Sequence, residues 1–347
     1  MALVTVMVPT YERVDLLGEA IESALAQTYR DLILMVGDNS ESDATENLVR
    51  AIDDPRVHYH RNRPGLGPQG NWLDLVARAE TPLVASLHDD DLWHPEFLET
   101  VVPPMLADPE IGMTFTDFWV IDLAGNRLDE HTDRESARTK RTAIPAGPID
   151  YDLEDGLRLV AVWNAPQPAY AAVLRREHVL AVEFPDDTIP LYDIWLSYDM
   201  VKRGVGLRYE PRRLTYYRVH LGAESSAGFA AAEDAVFRRI LEENRELGPI
   251  TDEIVQYWAR LQWARAMRLM DADLEARPDA RAESQRELRA ATKGLLGPRK
   301  KLAWAAARST PAWLGLRLAR SVKQRCSDRL DPRYADLDRA NPASMNE

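Results

Sequence analysis

With 347 residues, 45% of them hydrophobic and 29% charged, the chain has the make-up of a globular protein of about two domains. A net charge of −13 argues against a general nucleic-acid-binding surface, and a lone cysteine, Cys326, excludes an intramolecular disulfide and suits a reducing compartment. No apolar run reaches the roughly 18 residues of a membrane span, and the opening stretch MALVTVMVPTYE lacks a basic leader, so the sequence predicts a cytoplasmic protein.

The first elements alternate in hydrophobic period. Residues 3–9, LVTVMVP, read as a buried strand closed by proline, and 15–28 place Leu16, Leu17, Ala20, Ile21, Ala24 and Leu25 on one helical stripe. Residues 32–38, LILMVGD, are a second apolar strand. A helix follows over 42–53, a short strand over 56–60, a helix over 68–80 and a fourth strand, PLVASL, over 82–87. Strands alternating with helices predict a mostly parallel sheet covered on both faces. Residues 95–106 read as a helix, and 111–130 as a strand, a turn at Ala124-Gly125-Asn126 and a short return strand. The polar, Pro- and Gly-containing stretch 131–150 reads as a mobile loop, 168–182 as a strand then a helix, 191–204 as a helix ended by Gly204, and 205–220 as two short strands. Beyond LGAESSAG (221–228) the pattern is helical almost throughout, which divides the chain into domains 1–226 and 227–347.

Open sheets of this kind bind ligands at the carboxyl ends of their strands. Those ends are here Pro9-Thr10-Tyr11, Asp38-Asn39-Ser40 and Asp89-Asp90-Asp91. Three consecutive carboxylates repel one another. A solvated turn would tolerate them, but a buried strand precedes these, and Trp93 and Pro95 pin the chain that follows. Oxygen donors suit Mn²⁺ or Mg²⁺, which share their coordination shell with phosphate oxygens.

VTVMVPTYER, LILMVGDNSESDAT, PLVASLHDDDLWHPEFL and YRVH followed by SS, in this order, resemble the family 2 inverting glycosyltransferases of the GT-A fold. HDDDLWHP and WNAP (163–166) are similar to their nucleotide-diphospho-sugar transferases of the spore-coat type. The resemblance covers residues 1–226. It implies an α/β fold, a Rossmann-like mixed, mostly parallel sheet with flanking helices, here followed by a C-terminal all-helical region to which nothing carries over. It also implies metal-dependent transfer of a sugar from a nucleotide-diphosphate donor, UDP or dTDP, to an acceptor hydroxyl or other nucleophile. The acceptor class stays open between a glycan, a lipid carrier, a peptide and a small natural product.

By the same resemblance Pro9, Thr10 and Tyr11 line the nucleotide base and Asp38 hydrogen-bonds the uracil ring. Asp89 and Asp90 match the acidic DxD pair, Asp89 on the ribose or donor sugar and Asp90 on Mn²⁺ or Mg²⁺. His220 matches a histidine that meets the metal or the diphosphate, with Arg218 or Ser226 near the phosphates, and Trp163 and Asn164 match an acceptor-side loop. Many relatives carry an aspartate where this chain has His88, so the motif is slightly displaced. The division of labour among Asp89, Asp90 and Asp91 stays open by one residue, with Asp91 also readable as a cap for the next helix.

An inverting transferase also needs a base that takes the acceptor proton during in-line attack. The resemblance places it at the start of a helix, where PLYDIWLSYDM offers Asp193, with Tyr192 in place of the usual first acid. Asp199 lies six residues on, about 240° around the helix, and cannot share that face.

From Arg289 to Arg325 there are ten Lys/Arg and no Asp or Glu. Residues 299–325 mix Trp304, Trp313 and leucines with these cations, which suits peripheral contact with an anionic membrane, a partner helix or the chain's own acidic domain. Three rival functions remain, and one of them, a nucleic-acid binder acting through 289–325, predicts strong salt-dependent binding of DNA by that segment. A sugar nucleotidyltransferase needs a Gly-rich loop with Arg and Lys after strand one, which PTYERVDLLGEA lacks. A catalytically degenerate scaffold would bind no nucleotide.

Overall fold

Three apolar runs form the centre of the sheet. β1 (Val4–Thr10) pairs in parallel with β2 (Leu32–Asp38) on one side and β4 (Leu83–Ser86) on the other, and β3 (Val57–Arg61) extends the parallel ladder beyond β2. α1 (Val14–Leu25), α2 (Ala44–Arg50) and α3 (Gly67–Arg78) are the crossovers, and α1 buries Leu17, Ala20, Ile21 and Ala24, the stripe its spacing predicts. This is a computed structural model; it describes residues 2–138, 147–161, 171–186, 191–219, 230–243, 249–271, 278–295 and 297–319.

Past β4 the pairing changes sense. β5 (Leu92–Trp93), α4 (Phe97–Ala107), β6 (Ile111–Ile121), α5 (Asp129–Arg138), β7 (Ile149–Tyr151), α6 (Leu153–Ala161), β8 (Ala172–Arg175), α7 (Arg176–Leu180), α8 (Tyr192–Lys202) and β9 (Gly206–Arg218) follow. The strand order is β3-β2-β1-β4-β8-β6-β9-β5, with β7 pairing β9. β8 is antiparallel to both its neighbours, β6 runs parallel to β9, and β5 and β7 are antiparallel to β9, so the sheet is mixed. The core lies between the β1, β2 and β4 face and helices α1 and α4, with Val6, Leu34, Ile21, Phe97 and Val101 fully buried.

The structure departs from the sequence reading in three places. Residues 206–218 are one strand rather than two, because extra residues at Pro211-Arg212 and at Leu214, opposite Thr116, Asp117 and Phe118, let β9 bulge while staying paired to β6. Residues 129–138 are helical where polar composition suggested a loop. Thr132, fully buried, donates to the Leu128 carbonyl at 3.0 Å and accepts the Val120 N–H at 2.9 Å, anchoring α5 to β6. The return strand after the turn shrinks to one bridge between Ile121 and Arg127.

Asparagines staple β2 to the start of α3. Asn71 donates to the Gly37 carbonyl at 2.7 Å, and Asn62 donates to Asn71 and Asn39 at 3.0 and 3.2 Å. Glycine is required at position 37, because a Cβ there would collide with the Asn71 side chain.

The chain divides into two compact units, Met1–Val236 and Phe237–Glu347. In the second, α10 (Pro249–Asp271), α11 (Ala280–Ala291), α12 (Gly297–Arg308) and a last helical segment, 310–319, follow α9 (Ala230–Glu243), which crosses the division. Its core holds Ala266, Met270, Leu288, Ala303, Ala306 and Trp313. The buried Trp313 indole donates to Ser284 Oγ at 2.8 Å, which passes a 3.0 Å hydrogen bond to the Ala266 carbonyl. No described helix is long and apolar enough to cross a membrane.

Candidate active site

Because β2, β1 and β4 are adjacent and parallel, their carboxyl ends lie on one edge of the sheet. Thr10 and Asp38 are partners in the β1–β2 ladder, and Thr10 Oγ1 donates to Asp89 Oδ2 at 2.7 Å. The three strand ends singled out in the sequence thus meet around one threonine.

The turn after β1 sets the next residues. Glu12 takes a left-handed backbone, φ 50°, unusual for a side chain of this type. Its N–H donates to Ser40 Oγ at 2.8 Å, and its carboxylate accepts the Glu41 and Ser42 N–H groups and the Ser42 hydroxyl. Those bonds hold the Glu12 carboxyl below the usual carboxylate range, hydrogen bonding by Ser42 being the largest cause. Tyr11 is left 62% exposed at the rim, while Arg13 reaches Asp90 and stands 3.5 Å from Asp89.

Asp38 is fully buried. Its Oδ1 accepts the Ser40 N–H at 2.8 Å and its Oδ2 accepts the Tyr59 hydroxyl at 2.6 Å. Burial, and then that bond, push the Tyr59 phenol well above its ordinary value. Each Asp38 oxygen therefore already serves the protein before any uracil ring is considered.

The acidic loop is held from several sides. Burial pushes the Asp89 carboxyl up to about 6, the Asp90 charge adding to the effect while Thr10, Arg13 and His88 oppose it. Asp91 is raised as well, again by burial. Its Oδ1 accepts the Arg218 N–H at 2.8 Å, and its Oδ2, buried and without a hydrogen bond, lies 3.4 Å from His88 Nδ1. Asp91 is thus no helix cap; α4 begins six residues later, at Phe97. Burial lowers the His88 imidazole, but Asp91 and then the other two carboxylates overcome it and bring it to about 9.

Arg218 is 1% exposed and fully engaged. It donates to the Asp90 carbonyl at 2.7 Å, the Leu123 carbonyl at 2.6 Å and the Glu19 carboxylate at 2.8 Å. It braces the acidic loop, and so is not the phosphate contact anticipated for it.

On α8, Asp193 is half-buried, and its carboxyl is raised, first by burial, with the His88 charge pulling it back. Asp193 therefore lies within electrostatic reach of the acidic loop. Asp199 is tied to Arg203 by a 2.6 Å ion pair. The ring of the neighbouring Tyr192 packs on Trp72 of α3 at 5.3 Å.

His88, Asp90 and Asp91 each offer a ligand atom, all within 4.8 Å of one another. The sequence reading named Asp90 from this set, left the choice among Asp89, Asp90 and Asp91 open, and passed over His88. His220, Trp163, Asn164 and Ser226 lie outside the described residues.

Residues 5–147 match the family model described as Glycosyl transferase family 2. The chain is 35% identical over 147 residues to the succinoglycan biosynthesis protein ExoO of Rhizobium meliloti (strain 1021), covering 41% of this chain and 41% of that protein. It is 22% identical over 229 residues to WfaP of Escherichia coli, a UDP-Glc:alpha-D-GlcNAc-diphosphoundecaprenol beta-1,3-glucosyltransferase, covering 66% of this chain and 82% of that one. The crystal structure of S. aureus TarS 1-349 in complex with UDP-GlcNAc shares the fold, with a TM-score of 0.60 at 12% identity over 88% of this chain and 87% of that chain.

Proposed function

We propose that this chain, which its residues 5–147 make a member of glycosyl transferase family 2, moves a sugar from a nucleoside-diphosphate donor to an acceptor nucleophile with inversion at the anomeric carbon. The observation that carries this reading is the convergence of Thr10, Asp89, Asp90 and Asp91 on one sheet edge, with Asp193 within electrostatic reach through His88. The donors named for WfaP and for the TarS complex, UDP-Glc and UDP-GlcNAc, support a uridine nucleotide. The lipid-diphosphate acceptor named for WfaP supports a lipid-linked acceptor.

In the proposed reaction the acceptor oxygen attacks the anomeric carbon as its proton passes to the Asp193 carboxylate. The bond from that carbon to the diphosphate oxygen breaks on the opposite side, and the nucleoside diphosphate leaves with the electron pair. A raised Asp193 pKa brings the base nearer the operating pH, where proton transfer is most effective. Tyr11, exposed at the rim, provides a flat surface for the nucleobase.

His88, Asp90 and Asp91 fit a divalent cation. Their donors are one imidazole and two carboxylates, and the buried Asp91 Oδ2 lacks a hydrogen-bond donor. Bound there, Mn²⁺ or Mg²⁺ would neutralise the charge that develops on the leaving diphosphate.

A thermal-shift panel of nucleotide sugars with and without Mn²⁺ tests the donor, and NMR of the product tests the stereochemistry. Stabilisation by a UDP-sugar that requires Mn²⁺, with inverted configuration in the product, is the expected result. Retained configuration, or indifference to every nucleotide sugar, overturns the reading.

A further inference from the structure

We propose that the last described helices, residues 297–319, form a surface that docks on an anionic lipid bilayer. Of the ten large hydrophobic side chains exposed among the described residues, four fall within this short segment: Leu302 at 48%, Trp304 at 56%, Leu314 at 47% and Leu318 at 72% exposure. A soluble surface scatters such residues singly; their concentration marks a contact face.

The packing explains why they point outward. α12 buries its alanines, Ala303, Ala306 and Ala307, in the core of the second unit, and the following segment buries Trp313 there. Trp304 and Arg308, one turn apart, flank the alanine stripe of α12 on one side and Leu302 flanks it on the other, and the Arg308 guanidinium sits 4.6 Å over the Trp304 ring. Leu314 and Leu318 are likewise one turn apart on the next helix.

Charge selects the occupant. Arg299, Lys300 and Lys301 are exposed beside these side chains, and no acidic residue occurs from 289 to 325, in a chain of net charge −13. A nucleic acid would match the cations and leave the leucines in water. A bilayer surface takes both, the leucines and the indole entering the headgroup boundary while the cations meet lipid phosphates. The same cations exclude these helices from the hydrocarbon interior. This inference stands independently of the transferase reading.

The test is co-sedimentation of the full chain with vesicles of phosphatidylcholine, alone or mixed with phosphatidylglycerol. Partitioning about tenfold or more in favour of the anionic vesicles, weakened by salt, is expected. Leu314→Glu/Leu318→Glu should lower it about tenfold, as should Lys300→Gln/Lys301→Gln, whose exposed sites leave folding untouched. Leu106→Glu, an exposed leucine of α4, serves as the control and should change nothing. Equal partitioning of the variants and the parent, or no partitioning at all, overturns the proposal. So does a leucine-dependent dimer in vesicle-free sedimentation velocity, or tighter binding to DNA than to the anionic vesicles.

Discussion

Arg13 donates one guanidinium nitrogen to Asp90 and holds that same nitrogen 3.5 Å from Asp89, so two neighbouring carboxylates share an internal cation. The third, Asp91, leans on His88 and on the Arg218 N–H. The acidic loop is therefore balanced by the protein itself, and a metal bound at Asp90, as proposed, would compete with a resident arginine.

Arg13→Gln separates these roles. Removing a partly buried counter-ion should cost about 2–3 kcal/mol of stability in metal-free protein, read from urea midpoints. The same change should tighten Mn²⁺ binding several-fold in a calorimetric titration. If Arg13 instead helps to hold the diphosphate, Mn²⁺ affinity will stay level while donor affinity falls.

Asp193→Asn keeps the shape of the side chain and removes its basicity. Turnover should drop by about 10²–10⁴-fold, with the donor dissociation constant unchanged. Burial raises the Asp193 carboxyl, so the acid limb of the kcat/KM profile should fall off above the ordinary aspartate value. A limb at the ordinary value would point to a different base.

Arg218→Met strips three side-chain hydrogen bonds from the region behind the acidic loop, leaves the Asp90 and Leu123 carbonyls without that donor, and spares only the backbone N–H bond to Asp91. The expected loss is about 3–5 kcal/mol in urea unfolding. Arg218→Lys should recover little of it, since one ammonium cannot span three separate acceptors.

Metal-free stability should decline as pH rises. Burial brings the Asp89 carboxyl to about 6, above the roughly 3.9 of an unfolded chain. The native state thus binds this proton more tightly, and its contribution is lost as pH climbs from about 4 to about 6. Burial opposes the imidazolium of His88, but the carboxylates carry it to about 9. That contribution is complete below roughly 6.5 and lost on rising through about 9. Urea midpoints from about pH 5 upward should therefore fall, and Asp89→Asn should flatten the acidic part of the curve. Added Mn²⁺ should reverse the trend, because its ligands bind deprotonated.

The parallel half of the sheet was legible because Val4–Thr10, Leu32–Asp38 and Leu83–Ser86 are apolar runs ended by turn signals, and periodicity reports such runs directly. α5 escaped because its sequence, DEHTDRESAR, offers no apolar stripe; its anchors are polar, the buried Thr132 on β6 and the buried Ser136 donating to Asp117. The strand ends carrying Thr10, Asp38 and the aspartates were likewise readable, since parallel topology alone aligns them. The braces were not. Arg218 meets Asp91 across 127 positions, and Arg13 meets Asp90 across 77, distances at which one sequence carries no pairing signal. His88 was overlooked because its value as a ligand depends on the fold of the turn it shares with Asp91.

Thr10 belongs at once to the ladder beside Asp38 and to the hydrogen bond on Asp89. A nucleobase settling against the first edge would bear on the strand that carries this hydroxyl, and an ion held by His88, Asp90 and Asp91 would bear on its acceptor, the adjoining Asp89. Their affinities are then thermodynamically linked, and the linkage must be equal in both directions. A nucleotide lacking its phosphates would still report, through that one threonine, how firmly the ion is held.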